Sequence, residues 1–171
     1  MARRVDPRDG ADGAGVFFVI LRGPLGVGKS TVAAALADGI GGELISIDRI
    51  LEDQDLWESG ALPEFLRAND FAIAEGRRFL ENGRPVVFDG NFYWQPQIWD
   101  LTGRLAYRHF IFTLKAPLPV CIDRDRLRSL SHGAEAAREV FAKTTQFDAG
   151  TDIDATRPVA DVVEEVRSHL R

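Results

Sequence analysis

The stretch Gly23-Pro24-Leu25-Gly26-Val27-Gly28-Lys29-Ser30-Thr31 constrains this chain more than any other. A glycine, four residues, then Gly-Lys-Ser is the phosphate-loop spacing. Its flanks agree, because the apolar run Val16–Leu21 leads into it and an alanine-rich helix leads out. A loop joining a buried strand to a helix in this way turns backbone N–H groups onto phosphate oxygens. In that geometry Lys29 reaches the β- and γ-phosphates of a nucleoside triphosphate, and the Ser30 hydroxyl ligates Mg²⁺. The glycines are required where a Cβ would block close approach or where φ is positive. Nucleotide binding is therefore the first expectation.

The rest of the chain alternates strands with helices. Apolar runs at 16–21, 44–47, 85–88 and 109–114 predict buried strands, and Asp152-Ile153-Asp154 forms a further short run. Helices are expected from Lys29 to Gly39, over 63–82, at Trp94–Leu105, at 119–129 and 134–144, and over 158–170. Between Arg49 and Pro63 only a broken helix and a Ser59-Gly60 turn can be read. Such alternation implies an α/β fold with a parallel sheet covered on both faces. Ligands of such sheets sit outside the carboxyl ends of the strands. That rule puts the glycine loop, Asp48, Asp89-Gly90-Asn91 and Lys115 on one edge.

Composition narrows the classes. The 171 residues suit one domain, residues 16–171, preceded by a loose tail, 1–15, that has no apolar segment of a signal peptide. A formal charge of −5 argues against a surface that coats nucleic acid or an anionic membrane. One cysteine, Cys121, permits no intrachain disulfide and points to a reducing compartment, with the cytoplasm as default. No apolar run approaches the roughly 20 residues that span a bilayer.

The strand ends supply the candidate chemistry. Asp48 suits a general base that orients a hydroxyl and takes its proton, or else caps the helix from Arg49. Asp89 either supports Mg²⁺ through water or positions an acceptor, with a plain Asp-Gly turn as the alternative. Asn91 is a further acceptor-side candidate. Arg124 and Arg128 stand four apart on one helix, with Arg138 on the next, and each is a candidate clamp for a transferring phosphate. The interleaved Asp123 and Asp125 also permit a solvated face of ion pairs. Phe92, Tyr93, Trp94 and Trp99 either line an acceptor pocket or belong to the core. His109, His132 and His169 have no metal-ligand spacing.

Taken together, these motifs resemble the small phosphate-loop kinases grouped with shikimate kinase, gluconate kinase, chloramphenicol phosphotransferase and polynucleotide kinase. The resemblance runs from Phe17 to His169. It rests on Gly23–Thr31, Ile45-Ser46-Ile47-Asp48, Val86-Val87-Phe88-Asp89-Gly90-Asn91, Ala116-Pro117 with Arg124 and Arg128, and Asp154-Ala155-Thr156-Arg157-Pro158. It implies a three-layer α/β/α sandwich with a five-stranded parallel sheet in the order 2-3-1-4-5. It further implies a helical lid at about 124–140, Asp48 as activator of the acceptor hydroxyl, and Thr156, Arg157 and Pro158 near adenine. Shikimate kinases show a glycine triplet after strand three and an Asp-x-Asp after strand two. This chain has neither, which argues against shikimate.

The leading expectation is an ATP- and Mg²⁺-dependent kinase acting on a small hydroxylated molecule. Alternatives are a kinase for a nucleic-acid 5′-hydroxyl, disfavoured by the acidic balance, and a nucleotide-dependent switch or ATPase. Against the last, no Asn-Lys-x-Asp guanine signature occurs and no Glu follows Asp89.

Overall fold

The computed structural model describes residues 15–171, so the expected tail lies, but for its last residue, outside the described residues. Five strands form one sheet: β1 Phe17–Arg22, β2 Glu43–Ser46, β3 Val86–Asp89, β4 Arg108–Lys115 and β5 Thr151–Asp154. Their order is β2-β3-β1-β4-β5 and every pairing is parallel, as the family resemblance implied. Seven helices complete it: α1 Lys29–Gly39, α2 Ile47–Asp53, α3 Leu62–Glu81, α4 Gln95–Leu105, α5 Leu118–Arg126, α6 Ala134–Thr144 and α7 Val159–Ser168.

The alternation of side chains along β1 explains the layers. Phe18 and Ile20 point to one face, where α2, α3 and α4 bring Leu51, Phe65, Ile73 and Leu101. Val19 and Leu21 point to the other, where α1, α5 and α7 bring Leu36, Cys121 and Val166. Burial on both faces accounts for the apolar run of β1 from Phe17 to Leu21, ahead of its last residue, Arg22. The register then aligns the edge that matters: Leu21 pairs with Asp89, and Ser46 pairs with Asp89 from the other side. The end of β1, the end of β3 and the start of α2 therefore lie at one level.

Two elements differ from expectation. β2 stops at Ser46, and Ile47, which reads as the last strand residue, is instead the first residue of α2. The reason is a cap: the Ser46 side chain accepts a hydrogen bond from the Arg49 N–H at 3.3 Å. Helix α5 ends at Arg126, three residues early, because buried Asp125 draws the following loop back onto it. No helix among the described residues is long and apolar enough to cross a membrane.

Candidate functional site

A cleft of about 1190 Å³ opens over the carboxyl edge of the sheet. That exceeds the usual range of about 300–1,000 Å³ for one small molecule and leaves room for two side by side. Its lining falls into two halves. One is the glycine loop with the start of α7, and the other is α2 with the segments that follow β3.

The loop half is shaped by backbone. Gly28 precedes α1 in a left-handed conformation, φ 100°, and α1 has neither a capping side chain nor an acidic residue in its first turn. Its N–H groups are thus free for an external anion. Gly26, at φ 82°, is pressed so closely on the Cys121 carbonyl that a Cβ would strike it. Lys29 is nearly buried, and its ammonium donates to the Pro24 carbonyl at 3.0 Å. Burial lowers the Lys29 pKa, against the opposing charges of Asp89 and Asp48.

Below the loop, Asp89 ends β3 at 5% exposure. Burial raises its carboxyl pKa, while Lys29 and a hydrogen bond from Ser30 oppose the rise. One carboxylate oxygen, Oδ1, is buried without a partner. Asp48 lies in the first turn of α2, and its Oδ1 is likewise buried and unpartnered. Burial raises the Asp48 pKa above the ordinary carboxylate value, with Lys29 the leading opposing charge. Asp48 is not the cap of its helix, because Ser46 fills that role. A buried Asp89, a half-buried Asp48 whose Oδ1 is covered, and one lysine form an arrangement that a phosphate and a cation would complete.

This donor set fits a magnesium nucleotide. Mg²⁺ takes one or two protein oxygens and fills its other positions with phosphate and water. Asp89 Oδ1 and the Ser30 hydroxyl offer that number. Among the described residues no group of three or more His, Cys, Asp or Glu is placed to hold a metal by itself.

The arginines divide. Arg128 lines the cleft, and its charge acts on Lys29, Asp48 and Asp89. Arg124 also lines the cleft but is already engaged, donating to the Val27 carbonyl at 3.0 Å, to Ala155 at 2.7 Å and to Thr156 at 3.4 Å. It braces the glycine loop against the β5–α7 loop with three of its five N–H donors. Arg138 is exposed on α6 and outside the cleft lining, where Ala136 and Val140 of the same helix appear. The expected ion-pair face is half present. Asp123 pairs with Arg126 at 3.7 Å, whereas Asp125 is buried and accepts from Ser131 Oγ at 2.7 Å, His132 N at 3.0 Å and Gly133 N at 3.1 Å.

Thr156, Arg157 and Pro158 line the loop half as expected, and Asn91 lines the other. Of the aromatic group, Phe92 is core and Trp99 is 62% exposed, away from the cleft. Only Tyr93 of that group is in the lining. Sequence reasoning missed Trp57, Glu52, Asp53 and His132, all of which line the cleft. It also missed Arg22, fully buried at the end of β1. Arg22 donates to Thr144 O at 2.8 Å, Phe92 O at 3.2 Å and Thr113 Oγ1 at 3.2 Å, and burial takes its pKa down to about 10. An arginine directly before the glycine loop is the only signal the sequence offered.

Comparison with known proteins bears on this geometry. A family model described as an AAA domain matches residues 18–148. Uncharacterized proteins of Mycobacterium tuberculosis (strain H37Rv) and Mycobacterium bovis are each 30% identical, over 85% of this chain and 33% of their own length. The chain thus spans about a third of those curated relatives. Among solved structures, the Mycobacterium tuberculosis APS kinase in complex with AMPPNP and APS matches with TM-score 0.73 at 15% identity, over 91% of this chain and 97% of that one. A sugar kinase from Janibacter sp. HTCC2649 matches with TM-score 0.70 at 16% identity, over 90% and 93%. A gluconokinase from Sinorhizobium meliloti 1021 matches with TM-score 0.67 at 16% identity, over 89% and 90%. At these identities the likeness is one of fold: the chain has the architecture of the small phosphate-loop kinases.

Proposed function

The chain belongs to the AAA domain family, and from that premise we propose that it is an ATP- and Mg²⁺-dependent phosphotransferase whose acceptor is a hydroxyl of a small molecule. Residues 16–171 would act as one kinase unit with a lid at about 124–140. The observation that carries the reading is Asp48 Oδ1, a buried carboxylate oxygen without a partner, lining a cleft shared with the glycine loop.

Bound at the loop, the magnesium nucleotide supplies an activated γ-phosphoryl group with much of its charge neutralised. The chain's own residues do the rest. The free N–H groups of α1 and the loop hold phosphate oxygens, and Lys29 offsets charge where it builds up. Asp89 and Ser30 would support the cation. Arg124 keeps Ala155 and Thr156 against the loop, which fixes the wall where the base would lie. Asp48 accepts the proton of the attacking hydroxyl through Oδ1. Its pKa, raised by burial, makes it a better proton acceptor than an exposed carboxylate. Arg128 stands on the lid side as the phosphate clamp.

Transfer of label from γ-labelled ATP to members of a hydroxylated-metabolite panel tests the proposal. A 5′-hydroxyl oligonucleotide and an acceptor-free control run beside them. Label on a small molecule is expected. Label only on the oligonucleotide would redirect the reading to nucleic-acid ends, and rapid phosphate release without any acceptor would redirect it to an ATPase.

A further inference from the structure

The acceptor half of the cleft has a chemistry of its own, and the kinase reading is the ground on which it can be interpreted. Its α2 wall presents Asp48, Glu52 and Asp53, against one basic residue, Arg49. Arg49 lies 3.8 Å from Asp53 on the next turn of the same helix, an exposed pair. Glu52 is close enough that its charge raises the Asp48 pKa further. Arg128 and His132 bring positive charge to bear on Asp48, and Arg128 acts on Lys29 and Asp89 of the phosphate side as well. His132 is tied back to Asp125, its Nδ1 at 3.4 Å from the carboxylate.

An anionic acceptor placed on this wall would meet three carboxylates, with Arg49 beside one of them. A cationic one would meet the opposite. The carboxylates are not gathered into a metal site, since no such group exists among the described residues. They are spread along a wall, as a molecule larger than an ion requires.

The second feature is aromatic. Trp57 lines the same half at 43% exposure, although a large apolar side chain has every reason to be covered. It is held edge-on by Phe65, with centroids 5.9 Å apart and planes at 90°, and Phe65 in turn packs on Tyr93 at 5.3 Å. One indole face is thereby fixed without being buried. Such a face suits the C–H side of a saturated ring or an ammonium group.

The third feature is the unpartnered Asp48 Oδ1. It awaits a hydroxyl donor at the junction of the two halves.

We propose that the acceptor is an amino sugar or a similar ring that carries both hydroxyl and ammonium groups. The hydroxyl to be phosphorylated lies at Asp48, the ammonium group faces Glu52 and Asp53, and the ring lies against Trp57. The hydroxyl oxygen forms the new P–O bond, the bond from the γ-phosphorus to the bridging oxygen of ATP breaks, and the hydroxyl proton passes to Asp48. ADP and a phosphate monoester result.

Glucosamine, glucose and gluconate share one carbon skeleton in three charge states. Their binding to the full chain with AMPPNP and Mg²⁺ is read by tryptophan fluorescence, with Trp57→Phe separating the Trp57 signal from that of Trp94 and Trp99. Glucosamine is expected to bind about tenfold more tightly than glucose, the worth of one charge-assisted hydrogen bond, with gluconate weakest. The Glu52→Gln/Asp53→Asn double variant should erase that preference, its AMPPNP affinity serving as the check that it is folded. Equal or tighter binding of gluconate overturns the proposal. So does a preference that survives the double variant, and so does no binding of any of the three at their highest soluble concentrations. Label transfer from ATP to an anionic acceptor would sink this assignment while leaving the kinase reading standing. Absence of transfer to acceptors of every charge would remove the kinase reading itself, and the binding series would still decide whether the wall selects cations.

Discussion

Two helices begin at the same edge of the sheet, and they treat their N-termini in opposite ways. Helix α1 starts from a left-handed glycine, with no capping side chain and no acid in its first turn. Helix α2 starts from Ser46, whose hydroxyl satisfies the Arg49 N–H, and places Asp48 in its first turn. Each carries the same partial positive charge at its start. One leaves that charge open to an outside anion, while the other answers it from within. A carboxylate in such a position is expected to titrate low, yet the Asp48 pKa is raised. Burial is the largest cause of that rise. The donor end is thus built by leaving groups out, and the acceptor end by holding one carboxylate oxygen buried and without a partner.

The largest effect that would test this contrast is Asp48→Asn. It should lower turnover by about 10²–10⁴ with little change in AMPPNP affinity, as measured by single-turnover kinetics beside equilibrium binding. Two pH signatures accompany it. Asp48 works only when ionised, so the acid limb of kcat/KM should lie above the ordinary carboxylate value of 3.8, and the variant should lose that limb. The stability sign is opposite to the activity sign. A carboxyl whose folded pKa is raised costs nothing at pH below 3.8 and exacts its full cost above the raised value. The variant should therefore melt higher than wild type at neutral pH, and the difference should close as the pH falls toward 3.8. A variant that melts lower at neutral pH would mean that Asp48 is well solvated, and the contrast with α1 would disappear.

Next in size is Lys29→Met. Loss of one preorganised charge should reduce kcat by about 10²–10³. It should also shift the Asp48 and Asp89 carboxyls further upward, since Lys29 is the leading charge holding both down. The acid limb of the residual activity should move to higher pH. An unmoved limb would separate Lys29 from the acceptor half.

Gly26→Ala probes the open end through its scaffold. The added Cβ meets the Cys121 carbonyl and must adopt a φ of 82°. Overpacking and the left-handed conformation together should cost about 2–4 kcal/mol. Both Tm and AMPPNP affinity should fall, whereas Asp48→Asn is expected to affect neither adversely. A Gly26→Ala protein with wild-type Tm would show that the loop is not wedged on α5.

How much of this was legible beforehand follows the same division. The glycine loop, the strand ends at Asp89 and the order of elements could be read because apolar runs and glycines are local signals. The start of α2 could not be placed, because Ile47 reads equally as the last strand residue, and only the bond from Arg49 N–H to Ser46 decides. Trp57 sat in a stretch with no period, and its place on the cleft depends on Phe65, a residue of α3. The arginines show the limit best. Arg124, Arg128 and Arg138 look alike in sequence, but what sets Arg124 apart is the position of backbone carbonyls at Val27, Ala155 and Thr156. Carbonyls have no signature in sequence. Asp125 is the same case with the roles reversed, a carboxylate whose partners are N–H groups of the next loop.

The smallest effect is also the most direct test of the two helix starts. Ser46→Ala removes the one side-chain cap of α2 and leaves the Arg49 N–H to water. The pair is exposed, so the loss should be about 1 kcal/mol. For a chain of this size that lowers Tm by about 2–4 °C. Ser46→Asp restores an acceptor for the Arg49 N–H and should recover the Tm, although it adds a negative charge near Asp48. That charge should push the Asp48 pKa up once more and move the acid limb of kcat/KM to higher pH. AMPPNP affinity should stay as it is in both variants, because α1 owes nothing to Ser46. If Ser46→Ala leaves Tm unchanged, α2 is held by its buried residues Ile47 and Leu51 rather than by its cap. Capping would then not distinguish the two helix starts, and burial of Asp48 alone would separate the acceptor end from the donor end.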